Sequence, residues 1–162
     1  MSKNRLEKRK GFCLDIGCGQ NKQPQFLGMD KRKLPGVDIV HDLEKFPWPL
    51  ENESCLTVVG HHIAEHIDPK LTISFFDEIW RVLKVDGQLA LSMPYAGSPG
   101  DFQDPSHCNH FNQVTFQYFD PDYPLYQIYK PKPFRIEKGF PVYQVNGNLE
   151  VLMRKRVLDE KK

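Results

Sequence analysis

Three short apolar runs near the start of the chain each lead into an aspartate, and this pattern restricts the fold more than any other feature. The first run, residues 12–16, contains Asp15, the second ends at Asp30, and the third ends at Asp42. Runs this short and apolar are typical of buried parallel strands. Because ligands of a parallel α/β sheet bind beyond the carboxyl ends of its strands, the three carboxylates are predicted to converge on one cleft.

A Gly-x-Gly turn, Gly17 to Gly19, follows the first run directly. Glycine has no Cβ, so such a turn permits positive φ angles and lets a ligand lie close to the backbone. The dinucleotide fingerprint Gly-x-Gly-x-x-Gly is not completed, because Lys22 occupies the position of its third glycine. The turn therefore indicates a ligand site and disfavours a dinucleotide as the ligand.

Length and charge predict a single domain without a strong electrostatic field. The 162 residues carry 22 basic and 21 acidic side chains, so neither nucleic acid nor anionic lipid is favoured as a partner by net charge. We predict a basic arm at residues 1–10, one domain at residues 11–156, and a tail at residues 157–162. The four cysteines form no Cys-x-x-Cys pair, and the chain shows no secretory signal or apolar run of membrane-spanning length. A cytoplasmic protein with no membrane partner is expected.

Residues 12–94 resemble the class I S-adenosylmethionine-dependent methyltransferases. The resemblance rests on Leu-Asp-Ile-Gly-Cys-Gly at residues 14–19, Gly-Met-Asp at residues 28–30, His-Asp-Leu-Glu at residues 41–44 and the Phe-Pro-Trp-Pro segment after it. Within the family the chain is most similar to small bacterial and phage-type enzymes with an abbreviated first helix. The resemblance implies a Rossmann-like, mostly parallel sheet in the strand order 3-2-1-4-5-7-6, ending in a C-terminal antiparallel hairpin.

The same resemblance implies a cofactor, S-adenosylmethionine, and a role for each motif. The first turn is assigned to the methionine portion, the acid after the second strand to the ribose hydroxyls, and the acid after the third strand to the adenine edge. A carboxylate suits a vicinal diol because it accepts two hydrogen bonds. The cofactor-binding residues implied are Asp15, Gly17, Cys18, Gly19, Asp30, Asp42, Leu43 and His61.

The remaining elements follow from periodicity and turn residues. Asp68-Pro69 predicts a helix start, and apolar spacing extends that helix until Asp86-Gly87 ends it. Prolines in residues 43–54 predict an ordered loop in which Phe46 and Trp48 contact the core or wall an adenine ring. Asn146-Gly147 predicts a two-residue turn in the hairpin.

Two histidine-containing stretches raise the question of metal. Residues 62–66 match His-x-x-Glu-His, in which two helical histidines bind zinc and the glutamate is the base of a hydrolase. The motif needs a longer helix than Asp68-Pro69 allows, so zinc hydrolysis is the less favoured function. His107, Cys108 and His110 lack a partner pair of ligands. We therefore predict no metal.

The catalytic residues are sought in the long segment after the fifth strand. Residues 95–111 are rich in glycine, serine and proline, which predicts a lid over the cleft. His107 is a candidate general base, with Asp104 beside it, although a structural histidine is an equally good interpretation. The methyl acceptor is unidentified, with a small molecule favoured over nucleic acid or protein. The alternative function is an inactive cofactor-binding or partner-regulating protein.

Overall fold

The computed structural model describes residues 11–158, so the predicted basic arm and the end of the predicted tail lie outside the described range. Eight strands form one sheet: β1 (Phe12–Ile16), β2 (Leu27–Asp30), β3 (Ile39–Val40), β4 (Cys55–His61), β5 (Leu83–Pro94), β6 (Phe134–Ile136), β7 (Val142–Tyr143) and β8 (Asn148–Lys155). The α-helices are α1 (Thr72–Val82), α2 (Pro99–Phe102) and α3 (Tyr126–Tyr129). Short 3-10 helices span Ala64–His66, Pro69–Leu71 and Gln113–Phe119. Within residues 11–158, no helix has the length and apolar character needed to cross a membrane.

The sheet order is β3-β2-β1-β4-β5-β8-β6, with β7 also paired to β8. Strands β1 to β5 pair in parallel, whereas β8 runs antiparallel to β5, β6 and β7. The predicted Rossmann-like α/β fold is therefore confirmed. The order carried by the resemblance, 3-2-1-4-5-7-6, differs by one short added strand, β7, so that β8 takes the place of the seventh strand. Because β1, β2 and β4 are neighbours, their carboxyl ends share one edge of the sheet.

The connections on the β1 side of the sheet contain no α-helix, as predicted for an abbreviated first crossover. After β1 the chain turns at once, and the Gly17 amide donates a hydrogen bond to the Met29 carbonyl at 2.8 Å. Lys22, in the loop that replaces the first helix, forms an ion pair with Asp38 at 2.6 Å. The turn after β1 is thus tied directly to β2 and to the segment before β3.

Helix α1 begins later and ends earlier in the chain than the sequence predicts. Asp68 accepts a hydrogen bond from the Lys70 amide at 2.8 Å, but it caps the 3-10 helix Pro69–Leu71 rather than α1 itself. The predicted end at Asp86-Gly87 is wrong. Leu83 is fully buried and already extended, because it pairs with Cys55 of β4, and a bulge in β5 follows before Gln88.

The proline-rich loop between β3 and β4 is held on the core, as predicted for Trp48. Trp48 is 2 % exposed, and its ring packs edge to face on Phe75 with the ring centroids 6.1 Å apart. Its Nε1 donates a hydrogen bond to the Leu43 carbonyl at 3.0 Å. Its backbone amide donates to Glu78 Oε1 at 2.6 Å, which joins the loop to α1. The large apolar surface of Trp48 therefore packs on the core and holds the loop there, and it does not line the ligand cleft.

The C-terminal hairpin is confirmed, but its predicted two-residue turn is wrong. The Gly147 amide donates to the Gln144 carbonyl at 2.9 Å, so Val145 and Asn146 are the central residues of the turn. Gly147 follows with φ of +89°, the left-handed position that closes a three-residue hairpin loop. Strand β7 accordingly ends at Tyr143, two residues before the predicted end.

Candidate functional site

A cleft of about 490 Å³ lies at the carboxyl ends of β1 and β4. Its volume falls within the range of roughly 300–1,000 Å³ that small-molecule and cofactor sites occupy. Ten residues line it: Asp15, Gly17, Cys18, Gly19, Gln20, Asn21, Arg32, Leu34, His61 and His62. Five of the eight residues that the sequence assigns to the cofactor are in this lining.

The glycine turn presents bare backbone to the cleft. Gly17 has a φ of +64°, and a Cβ placed on it would lie 2.5 Å from Ile63 Cγ1. Gly19 has a φ of +54°, and its amide donates to Asp30 Oδ2 at 2.9 Å. A side chain at position 17 is thus excluded by both conformation and space. The space beside Gly17 is taken by Ile63, whereas a Cβ on Gly19 would meet only Arg32 Nη2, at 3.4 Å, so the backbone at Gly19 stays open to a ligand.

Asp15 places a buried carboxylate at the cleft. The residue is 2 % exposed, and its Oδ2 accepts a hydrogen bond from the Gln23 amide at 2.8 Å. Burial raises the pKa of this carboxyl, while the Gln23 hydrogen bond and the positive charges of His61 and Lys22 act in the opposite direction. A cationic group on a ligand would relieve the cost of burying the charge. The ammonium end of an amino-acid moiety suits this position.

We expect Asp15→Asn to make the ligand-free protein more stable near neutral pH. A carboxyl whose pKa is raised by folding stabilises the protein below its unfolded pKa of about 3.9 and loses that contribution as pH rises through the folded value. Asparagine keeps an acceptor for the Gln23 amide and carries no charge. The melting temperature of the variant should exceed that of the wild type at pH 7, with the difference shrinking toward pH 4. A variant that is less stable at both pH values would contradict this assignment.

Asp30 organises the edge of the cleft beside β2. Its Oδ1 accepts from the Arg32 amide at 2.8 Å and from Arg32 Nε at 3.1 Å, and its Oδ2 accepts from Gly19. Burial acts to raise the pKa of Asp30, but the hydrogen bonds from Arg32 and Gly19 outweigh it and lower the pKa. The Arg32 side chain is 61 % exposed and lines the cleft, so it stands between the Asp30 carboxylate and the open space.

The other predicted cofactor residues divide into two groups. His61 ends β4 in the cleft, with its Nε2 3.5 Å from Gln23 Nε2, and Cys18 also faces the cleft, where burial raises the pKa of its thiol. Asp30, Asp42 and Leu43 are not in the lining. Leu43 is 5 % exposed, and Asp42 Oδ1 accepts from the Glu44 amide at 3.2 Å. Their assignment to an adenine edge stays a prediction.

Sequence reasoning missed half of the lining. Gln20, Asn21, Arg32, Leu34 and His62 stand in loops that carry no periodic pattern. The one available signal was position, because each of them lies within a few residues of the end of β1, β2 or β4. Residues that immediately follow parallel strands belong to the binding edge of the sheet whatever their type.

Residues 62–66 do not form the helix that the zinc-hydrolase interpretation requires. His62 follows β4 with a φ of +51°, and the 3-10 helix Ala64–His66 comes after it. Instead, His62 Nδ1 lies 3.1 Å from Glu65 Oε1, and this hydrogen bond raises the pKa of the imidazole against the effect of burial. His62 and His66 therefore do not share a helical face as paired ligands.

The predicted catalytic residues lie beside the cleft rather than in its lining. His107 Nε2 is 4.0 Å from Asp104 Oδ2, and the His107 side chain is 6 % exposed. The segment that carries them is tied down, because the amides of Cys108 and Asn109 both donate to the Glu65 carbonyl, at 2.9 and 3.0 Å. A lid that orders with its ligand, and a base at His107, stay predictions.

A second cleft of about 440 Å³ opens beyond the carboxyl end of β5. Its lining consists of Tyr95, Ala96, Gly97, Ser98, Pro99, Gln113 and Tyr143, none of which is charged. The rings of Tyr95 and Tyr143, both in this lining, pack edge to face with their centroids 4.9 Å apart. Since β5 is the parallel neighbour of β4, the two clefts lie along the same edge of the sheet.

No protein-family model matches the chain, and no curated protein matches it in sequence. Solved structures do match the fold. A SAM-dependent methyltransferase from Archaeoglobus fulgidus superposes with a TM-score of 0.65 at 13% identity, covering 95% of each chain. The methyltransferase in a Haloferax volcanii complex with the Trm112 activator gives 0.63 at 9% identity, covering 94% of this chain and 90% of that chain.

A Burkholderia thailandensis 1,6-didemethyltoxoflavin-N1-methyltransferase, with 1,6-didemethyltoxoflavin and S-adenosylhomocysteine bound, is a further match. It has a TM-score of 0.63 at 13% identity, with 89% of this chain and 70% of that chain covered. The fold of this chain is thus the fold of SAM-dependent methyltransferases. At identities this low, the shared fold does not establish the activity or the ligand, which must be argued from the residues of the site itself.

Proposed function

We propose that this chain is an S-adenosylmethionine-dependent methyltransferase whose cofactor occupies the cleft beside β1. The observation that carries the proposal is the bare turn from Gly17 to Gly19, fixed by Asp30 within a sheet of methyltransferase topology. Gly17, Cys18 and Gly19 all line the cleft, and a turn without side chains at its two glycines lets a cofactor lie close to the backbone. The fold supports methyl transfer as the general function. The polar groups that line the cleft support S-adenosylmethionine as the ligand.

The polar groups in and beside the cleft match the methionine and ribose portions of this cofactor. Asp15 offers a buried carboxylate for the ammonium of the methionine portion, next to the exposed backbone of the turn. Asp30 offers two carboxylate oxygens to a ribose diol once Arg32 has moved aside. The unfinished dinucleotide fingerprint fits a ligand without a pyrophosphate, because no third glycine completes the anion-binding turn.

The second cleft is the proposed acceptor site. It adjoins the first along the sheet edge, and its lining is uncharged and rich in tyrosine. Uncharged walls give no attraction to phosphates, so a small neutral or aromatic acceptor is favoured over nucleic acid. Tyrosine supplies a flat apolar face together with a hydroxyl that forms hydrogen bonds.

When bound, the cofactor would supply a sulfonium methyl group for attack by an acceptor lone pair, and the neutral thioether, S-adenosylhomocysteine, would be the leaving group. The protein contributes mainly position, by holding two reactants in neighbouring clefts and excluding water between them. Orientation of this kind accounts for a large part of the acceleration in two-substrate reactions. Asp15 and Asp30 fix one reactant, and the walls of the second cleft fix the other, so no covalent intermediate on the protein is needed.

Asp30→Ala should weaken S-adenosylmethionine binding by about 1–3 kcal/mol, which is roughly 5- to 150-fold, because a charged hydrogen-bond partner is lost. The variant also leaves the Gly19 amide without its acceptor. Calorimetric titration measures the change, and Asp122→Ala, which removes a surface carboxylate paired with Arg156, is the control. Equal affinity in wild type and Asp30→Ala would exclude Asp30 as the ribose ligand.

The function itself is tested by transfer of radiolabelled methyl from the cofactor to fractionated metabolites, nucleic acids and proteins. We expect label in a small-molecule fraction, and its loss in Asp30→Ala at a subsaturating cofactor concentration. Label in RNA or protein would keep the reaction class and overturn the acceptor class. Tight cofactor binding with no transfer to any pool would indicate the alternative function, a cofactor-binding regulatory protein.

A further inference from the structure

We propose that Glu65, His66 and His107 form a binding site for a single divalent metal ion of the zinc class. One ligand atom from each of the three side chains lies within 4.8 Å of the others. They come from the 3-10 helix after β4 and from the segment after β5, two stretches more than 40 positions apart in the chain. The site lies outside the cofactor cleft, separated from it by His62, which contacts both.

Glu65 provides the first indication of a missing ligand. The residue is 1 % exposed, and its Oε1 contacts His62 Nδ1 at 3.1 Å. Its Oε2 is buried and has no hydrogen-bond partner among the described residues. A buried carboxylate oxygen without a partner is costly, and such atoms in folded proteins are normally satisfied by a donor, a water or a cation.

The hydrogen bonds of His107 fix the form of its imidazole. Its Nδ1 lies 3.0 Å from the Asp101 carbonyl, which can only accept, so Nδ1 carries the proton. In the neutral ring Nε2 then carries a lone pair, and this atom lies 3.9 Å from Glu65 Oε1. A cation placed between this nitrogen lone pair and this carboxylate oxygen would be bound by both. That separation is also too long for a direct hydrogen bond.

The Ser106 hydroxyl fixes the imidazole of His66 in the same tautomer, with the proton on Nδ1. Ser106 Oγ lies 2.7 Å from Asp104 Oδ1 and 3.1 Å from His66 Nδ1. The single hydroxyl proton is donated to the carboxylate, so Oγ accepts from the Nδ1 proton of His66. The Nε2 of His66 is left with its lone pair. The two imidazole rings meet edge to face, with centroids 4.8 Å apart.

This arrangement is typical of metal-binding histidines, which donate the other ring N–H to a carbonyl, a carboxylate or a similar acceptor. Ligand atoms about 2.0–2.2 Å from a tetrahedral zinc ion are separated from one another by roughly 3.3–3.5 Å. The separations here are somewhat wider, so binding requires a small inward rotation of the side chains. Two imidazoles and one carboxylate suit Zn²⁺ or Fe²⁺, and three protein ligands leave one or more positions open.

The sequence prediction of no metal rested on ligands within one helix or in close pairs, and this site uses neither. One histidine of the His-x-x-Glu-His stretch, His66, takes part, and His62 contacts Glu65 instead of the ion position. The glutamate, expected as a base in the hydrolase interpretation, is here a ligand. Because the ligands come from two distant stretches, binding would join the segment that carries Asp104 to the end of β4.

The test is metal analysis of untagged full-length protein purified without chelator, followed by calorimetric titration of EDTA-stripped, dialysed protein with ZnCl₂. We expect about one zinc per chain in the wild type, and at least a tenfold loss of affinity in Glu65→Gln and in His107→Ala. Cys108→Ser and His41→Ala are controls, because an exposed thiol or a half-buried histidine outside the site could hold adventitious zinc. Both should retain full stoichiometry.

A second readout separates loss of the site from loss of the fold. Zinc should raise the melting temperature of stripped wild type and leave that of Glu65→Gln unchanged, since an ion stabilises only a fold that binds it. No stoichiometric binding of Zn²⁺, or of Fe²⁺ under anaerobic conditions, would overturn the proposal. So would zinc that is lost in Cys108→Ser but kept in His107→Ala. Neither measurement uses S-adenosylmethionine, so the outcome is independent of the proposed methyl transfer.

Discussion

Gly17→Ala is expected to lower the free energy of unfolding by about 2–5 kcal/mol and to weaken S-adenosylmethionine binding at least about tenfold. The left-handed backbone of Gly17, with φ of +64°, costs a residue with a Cβ about 1–2 kcal/mol. The added methyl would also lie 2.5 to 2.8 Å from three carbons of Ile63, and overpacking costs about 1–3 kcal/mol. Relief of that clash displaces the turn that lines the cleft. Denaturant unfolding and calorimetry measure the two effects.

Gly36→Ala is the matched control, because it separates backbone strain from the clash. Gly36 has a φ of +89°, and a Cβ there would meet nothing within 4 Å. Its alanine variant should lose only the backbone contribution, about 1–2 kcal/mol, and bind the cofactor normally. Ile63→Ala combined with Gly17→Ala should recover part of the affinity. If Gly17→Ala and Gly36→Ala behave alike in both assays, the close approach at Gly17 is not what shapes the site.

Arg81→Met is expected to lower the free energy of unfolding by about 3–5 kcal/mol, the scale for breaking one side of a buried ion pair. The Arg81 guanidinium binds both carboxylate oxygens of Glu78, at 2.6 and 2.9 Å. It also donates to the Leu50 carbonyl at 2.8 Å and to Asn52 Oδ1 at 2.6 Å. Methionine fills a similar volume but leaves Glu78, 7 % exposed, with an uncompensated charge.

Arg135→Met provides the comparison on the surface. Arg135 is 51 % exposed and pairs with Asp86 and Glu137 at 3.4 and 3.2 Å. Exposed pairs contribute about 0–1 kcal/mol, so this variant should unfold nearly like the wild type. Urea unfolding is followed by tryptophan fluorescence, to which Trp48 in the loop and Trp80 in α1 both contribute. Glu78 joins the two elements, because it also accepts a hydrogen bond from the Trp48 amide. Equal destabilisation by the two variants would show that the Glu78–Arg81 pair does not anchor the loop.

The sheet could be predicted from the sequence because each strand of its parallel half has a local signal. Buried parallel strands appear as short apolar runs, and the aspartates at the carboxyl ends of β1 and β2 mark the binding edge. The end of α1 could not be predicted. Apolar spacing continues through Leu83, yet Leu83 is extended because it pairs with Cys55, and that pairing depends on a distant strand.

The residues of the cofactor cleft could be predicted only where they belong to a recognisable sequence motif. Gly17, Gly19 and Asp15 were found because the turn has a pattern, whereas Arg32 was missed because a single arginine in a loop has none. The proposed metal site was not predicted, for a different reason. Its ligands at positions 65, 66 and 107 meet only because the segment after β5 folds back and donates the Cys108 amide to the Glu65 carbonyl.

The central claim, that the cleft beside β1 binds S-adenosylmethionine, is tested most directly by calorimetric titration of the wild-type protein. One molecule should bind per chain, S-adenosylhomocysteine should compete for the same site, and Gly17→Ala should bind at least about tenfold more weakly. NAD⁺ should give no binding, because the turn lacks the third glycine of a pyrophosphate site. Failure of the wild type to bind S-adenosylmethionine, or tighter binding of NAD⁺, would contradict the account.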